Sequence, residues 1–268
     1  MGRWFEYESG VAWCESAFKY QTLPIVAEFA NTVTNLPIIV LPLINVFMLR
    51  KYISANNRIV LLPHLMLTIN GVASTYYHAT LNLFGQIVDE LSILWLINVC
   101  LVAYLPIMNF YPDKLKSKVI QLRRAIICLT AVISAFCFVE PHINAFVLMA
   151  WSIPGLALIY FEAANSGISE VVELRSKIIT LWLIAVIFWF SDRLMCDLWL
   201  FFGIPYFHAI FHLLSSFAAY QAFIMFSLLD IHRNPSKYFT ARINYFPKRG
   251  LFAFPYIAVT EEDNSSKL

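Results

Sequence analysis

Residues 206–229 read YFHAIFHLLSSFAAYQAFIMFSLL, twenty-four residues without one Asp, Glu, Lys or Arg. A run of about 20 mostly apolar residues crosses the hydrocarbon core of a bilayer as a helix. This stretch therefore predicts a membrane span. Its start carries His208 and His212, four residues apart and so on one helix face. Six earlier stretches have the same apolar character, at about 23–49, 59–81, 87–110, 119–138, 144–161 and 178–190, the last extended to Met195. Pro37, Pro42, Pro63, Pro106 and Pro154 fall within or at the ends of these stretches. Membrane helices tolerate such prolines because neighbouring helices satisfy the freed carbonyls.

The expected fold is thus an all-α membrane protein, a seven-transmembrane-helix bundle in one domain covering residues 1–268. The bundle takes up about 23–230, preceded by a segment 1–22 and followed by a tail 231–268. Composition agrees: 60% of the 268 residues are hydrophobic, 16% aromatic and 13% charged. Soluble domains carry about a quarter charged residues, so this chain cannot cover a globule with charge. A net charge of +2 gives no reason to expect a nucleic-acid partner. The five cysteines form no CxxC pair, which argues against a cysteine-ligated metal and against a disulfide-rich secreted scaffold. The opening MGRWFEYESG lacks the basic and then apolar pattern of a cleavable signal peptide, so the first apolar stretch is expected to be retained.

Lysine and arginine set the expected orientation. One side holds Arg50, Lys51 and Arg58, then Lys114, Lys116, Lys118, Arg123 and Arg124, then Arg175 and Lys177. The tail adds Arg233, Lys237, Arg242, Lys248, Arg249 and Lys267 to that side, and the opposite side has Arg3, Lys19 and Arg193. The N-terminus is therefore expected outside or in the lumen, and the C-terminus in the cytosol. Cys14 and Cys196 both fall on the oxidising side, where a disulfide and two separate thiols are both open. The sequon Asn264-Ser265-Ser266 falls on the cytosolic side and is expected to be unused.

Ionisable groups within apolar stretches are functional candidates because the bilayer disfavours them. Glu28, His78, Asp89, Glu90, Asp192, Arg193, His208 and His212 all map to one end of the predicted bundle. Asp192 and Arg193 are expected to form a structural ion pair. His208 and His212 alone are equally a pair of imidazoles bonded to neighbouring helices. With His78 at the same depth, three histidines and an open position make the pattern of a catalytic zinc site. Ser74 precedes His78 by four residues and shares its helix face. Asp89 is either an acid favoured by the helix dipole or a general base beside the metal. Glu90 faces about 100° away from it.

Beyond composition and spacing, the segments Trp13-Cys14-Glu15, Ala27-Glu28-Phe29 with Asn31-Thr32, Tyr77-His78-Ala79-Thr80-Leu81, Gly85-Gln86 with Asp89-Glu90, Ser191-Asp192-Arg193, and His208 to His212 occur in that order. Together they resemble the alkaline ceramidases, membrane amidases of the superfamily that includes the adiponectin receptors. The resemblance implies zinc on His78, His208 and His212, with Ser74 and Asp89 assisting catalysis. It implies a Cys14–Cys196 disulfide. It implies that ceramide and related N-acyl sphingoid lipids are hydrolysed with water to sphingosine and a fatty acid. The host membrane is expected to be the endoplasmic reticulum or Golgi, with the plasma membrane also open, because the lumenal side is chemically equivalent in all three.

The family also has a calcium site, an Asp-Trp-x-Glu-x-Asn run plus a later glutamate. Here Trp13, Glu15 and Glu28 match it, but Ala12 and Ala17 replace two ligands, so calcium binding is expected to be weakened. Two alternatives remain at this point. One is a receptor of the adiponectin-receptor type, which the charge bias disfavours. The other is a transporter, which would place its polar residues at mid-membrane.

Overall fold

The computed structural model describes residues 7–139, 144–234, 239–246 and 254–261. Arg3, Lys237, Lys248, Arg249, Lys267 and the Asn264–Ser266 sequon lie outside these residues. Where the apolar stretches run, the chain is helical: α1 Phe29–Val33, α2 Leu36–Ala55, α3 Leu61–Thr80, α4 Leu83–Tyr104, α5 Asp113–Lys116, α6 Val119–Val139, α7 Asn144–Ala164, α8 Ser169–Leu194, α9 Cys196–Phe202 and α10 Phe207–Arg233. A 3-10 helix, Cys14–Phe18, precedes them. Neighbouring contacts run α2–α3–α4–α7–α8–α10 and back to α2, with α6 against the outside of α4. Large apolar side chains such as Ile127, Phe136, Ile153 and Ile187 remain more than half exposed on the helices. In a chain this poor in charge, that surface is what lipid would cover.

Among the described residues, six segments are long and apolar enough to cross a membrane: Phe29–Ala55, Arg58–Thr80, Leu83–Ile107, Val119–Phe138, Val147–Ala164 and Phe207–Arg233. α8 is long enough, at roughly 39 Å for 26 residues. Its uncharged core, residues 178–191, is shorter than a typical span, with Arg175 and Lys177 before it and Asp192 and Arg193 after it.

The structure departs from the sequence reading in three places. Residues 23–28 are not helical. Ala27 and Glu28 instead donate their amides to the carbonyls of Ala79 and His78 at the end of α3, and the helix starts at Phe29. The segment after α10 is not merely a tail. β1 Phe239–Phe246 and β2 Phe254–Glu261 form an antiparallel hairpin, Phe239 opposite Glu261 and Phe246 opposite Phe254. β2 packs on α2, and both strands pack on α10. Ala241 and Ile257 are buried there, and the Tyr220 hydroxyl donates to the Pro255 carbonyl at 2.9 Å. Buried ionisable groups also occupy both ends of the bundle rather than one, because His64, Glu162 and Asp230 join those expected.

Two local devices set α3 against its neighbours α2 and α4. Gly71 on α3 lies so close to α2 that a Cβ would sit 2.7 Å from Ile39 Cγ1. Only the absent side chain permits that approach. Between α3 and α4 the chain reverses in two residues. Leu81 adopts the left-handed region with φ 52°, unusual for a branched side chain, and Asn82 caps α4 by accepting the Gly85 amide at 2.7 Å.

Candidate active site

The sharp turn folds the last turns of α3 against the first turns of α4, so Ser74 and His78 face Asp89. The Ser74 side chain lies close enough to the Asp89 carboxyl to interact with it, and both line the same cavity. From across the bundle, α10 brings His208 and His212. Ring centroids are 5.1 Å apart for His78–His208, 4.8 Å for His78–His212 and 4.4 Å for His208–His212. One ligand-capable atom from each of the three lies within 4.8 Å of the others, and all three residues are buried.

The hydrogen bonds fix which nitrogens remain. His78 Nδ1 meets Glu28 Oε2 at 2.6 Å, and a carboxylate only accepts, so Nδ1 carries the proton. Its Nε2 is buried without a hydrogen-bond partner. His212 Nδ1 meets the Asn31 carbonyl at 3.1 Å, with the Thr34 hydroxyl at 3.3 Å. The carbonyl again only accepts, which leaves the lone pair on Nε2. His208 Nδ1 is also buried without a partner. Imidazoles whose second nitrogen donates to a carboxylate or carbonyl are the arrangement that metal-ligating histidines adopt. The donor set, three nitrogens and no thiolate, suits zinc with a position left open.

The other predicted residues lie close by, with roles that differ in part from expectation. Asp192 and Arg193 are not paired with each other. Asp192 accepts the amides of Cys14 at 3.0 Å and of His208 at 3.1 Å, because the first amides of α10 have no helical partner. Arg193 instead donates to the Ala12 carbonyl at 3.4 Å and lies over the Trp13 ring, 5.5 Å from its centroid. Trp13 stacks on His208 at 3.6 Å between ring centroids, and its carbonyl accepts the Ser16 amide. Cys14 and Cys196 are joined as a disulfide with Cα atoms 5.3 Å apart. Glu90 lines the same cavity as His208 and His212 and accepts from Gln86 Nε2 at 3.0 Å.

Glu15 and Glu28 sit beside the trio. Glu15 accepts the amides of Ala30 at 2.6 Å and Asn31 at 2.8 Å. Burial still holds its carboxyl above the ordinary range. Glu28 accepts from the Ser16 hydroxyl, from Asn31 Nδ2 at 2.9 Å and from His78. Burial pushes its carboxyl up, but these bonds outweigh burial and hold it below the ordinary range. Ala12 and Ala17 are exposed and offer no side-chain oxygen. With every carboxylate oxygen engaged by protein donors, this donor set does not fit calcium, which prefers six to eight oxygens.

Sequence reasoning missed Ser16, Asn31, Thr34 and the Trp13 ring. Asn31 donates its amide to Glu15 and its side chain to Glu28, and accepts from His212. The Asn31-Thr32 motif was its one visible signal.

From this end an apolar cavity of about 320 Å³ leads into the bundle. His208, Ser74 and Asp89 line its polar end, and Tyr104, Met108 and Phe226 line its far end. From His212 to Phe226 along α10 is roughly 20 Å at 1.5 Å per residue.

The profile of the Ceramidase family matches residues 5–258. A Caenorhabditis elegans protein named alkaline ceramidase is 54% identical over 264 residues, 97% of each chain. A Caenorhabditis briggsae protein of the same name matches to the same extent, and human alkaline ceramidase 1 is 29% identical over 262 residues, again 97% of each chain. Nothing in these matches supports the receptor alternative. A histidine trio beside a serine–aspartate pair, framed by a sequence match along nearly its whole length, places this chain in the ceramidase family.

Proposed function

We propose that this chain hydrolyses the amide bond of ceramide, releasing sphingosine and a free fatty acid. The observation that carries the proposal is the convergence of three imidazoles and the Ser74–Asp89 pair at the polar end of an apolar cavity. His78, His208 and His212 would hold zinc, which when bound supplies Lewis acidity to the amide carbonyl and acidity to water. Asp89 takes the proton that the attacking water loses. As the C–N bond breaks, Asp89 returns that proton to the departing sphingoid amine. Once Asp89 carries the proton, the Ser74 hydroxyl can accept from it and turn its own single hydrogen to the oxygen on which negative charge develops. The apolar cavity takes an alkyl tail and keeps bulk water away.

We further propose α8 as the seventh span, with its charged ends at the two membrane faces. The histidine end then faces the lumen or exterior, in the endoplasmic reticulum or Golgi, with the plasma membrane as the alternative host. The lysine and arginine bias supports this orientation.

The experiment is metal analysis with product release. Purified protein is expected to contain about one zinc per chain and to release fatty acid from ceramide, and His212→Ala to lose both. Full turnover in metal-free protein would rule the zinc reading out. Protease cleavage of the C-terminal segment in sealed vesicles tests the orientation.

A further inference from the structure

We infer that Glu28 is a positioning residue for His78, held by Ser16 and Asn31 instead of by a divalent cation. The inference rests on the reading of the histidine trio as a zinc site. Glu28 is fully buried, as is His78. A carboxylate offers two oxygens with about four acceptor sites. Here Oε1 takes the Ser16 hydroxyl, and Oε2 takes Asn31 Nδ2 and His78 Nδ1. The last contact turns the imidazole so that its unpartnered Nε2 faces His208 and His212.

The donors that hold Glu28 are themselves fixed. Ser16 lies in the 3-10 helix Cys14–Phe18. Glu15 in the same turn grips the amides of Ala30 and Asn31. Asn31 then serves both halves of the site, because its side chain holds Glu28 and its carbonyl accepts from His212 Nδ1. One turn of chain therefore orients two of the three imidazoles. A cation at this place would have to displace Ser16 from Glu28, with Ala12 and Ala17 giving nothing in return. The family's calcium glutamate has become, in this chain, the outer partner of a metal-ligating histidine. Such partners are worth about 10–100-fold in metal affinity.

The test has two arms, run on the full chain in detergent. In the first, calcium is removed from the wild-type protein, zinc content is verified, and calcium is added back to millimolar levels. Activity and melting temperature are expected to stay unchanged. A several-fold rise in activity, or a clear rise in melting temperature, overturns the inference.

In the second arm, Glu28→Gln is expected to lower zinc affinity about 10–100-fold, measured by competition with a chelator. It is expected to lower kcat with KM little changed. Ser16→Ala, at a half-buried position, is expected to move both quantities in the same direction by less. It decides the matter if Glu28→Gln does not fold. Zinc held as tightly in these variants as in wild type overturns the inference. Wild-type protein without zinc would instead sink the zinc reading on which it rests, which is a distinguishable outcome.

Discussion

At the two ends of α3, His64 and His78 are equally buried, with no measurable exposure, but differently partnered. His64 uses both ring nitrogens on the protein, Nδ1 to the Val60 carbonyl at 2.8 Å and Nε2 to Asn45 Nδ2 at 2.7 Å. His78 uses one, on Glu28, and its other nitrogen points at two more imidazoles. The surroundings repeat the contrast. Near the His64 end, Asp230 is filled by Tyr52 and Asn57. Glu162 is filled by the amides of Asn109 and Phe110 and by Arg233. The unpartnered nitrogens there, Asn56 Nδ2 and Arg233 Nη2, are donors and cannot ligate a cation. At the His78 end, the unpartnered nitrogens include lone pairs that converge. Burial of a histidine says little by itself, and what remains free after hydrogen bonding separates a pin from a site.

The largest effect should come from His78→Ala, which is expected to bring zinc content and ceramide hydrolysis to background. Metal analysis and fatty-acid release read both. Asp89→Asn is expected to keep zinc and to lower kcat by about 10²–10⁴-fold, the usual contribution of a general base. Ser74→Ala is expected to lose less than Asp89→Asn while keeping zinc. If Asp89→Asn loses zinc instead, Asp89 belongs with the metal ligands rather than beside them.

His64→Leu is expected to destabilise the bundle by about 1–3 kcal/mol, because Asn45 loses a buried partner, with zinc and kcat unchanged. Thermal melting and metal analysis read the two sides of that claim, and zinc loss here would break the contrast between the two ends. Tyr52→Phe removes one of several donors to Asp230. It is expected to shift stability by about 1 kcal/mol, with no change in turnover.

The histidine trio and Asp89 were legible because each stands out within an apolar stretch, Ser74 because it lies four residues before His78, and the charge bias sorted them by depth. Asp230 and Glu162 were missed for a narrow reason: boundaries drawn at 229 and 161 stop one residue short of each. His64 lies inside the second stretch and has no partner at helical spacing to draw notice. Asn31, Thr34 and Ser16 are neutral, and near a helix start they read as ordinary capping residues. Their partners come from distant segments that no local pattern joins. The hairpin did leave a signal. Phe239, Ala241, Ile243 and Tyr245 alternate with Thr240, Arg242 and Asn244, a period of two, but the preceding run of helices favours reading such a stretch as a tail.

That hairpin bears on the order in which the molecule can be completed. α10 carries two of the three histidines, and part of its flank is covered by strands that follow it in the chain. Every described helix is synthesised before β2. The helix that brings His208 and His212 to the site therefore waits, with Tyr220 uncovered, for Pro255 to arrive, and the enclosure of α10 is finished only after both strands have been made.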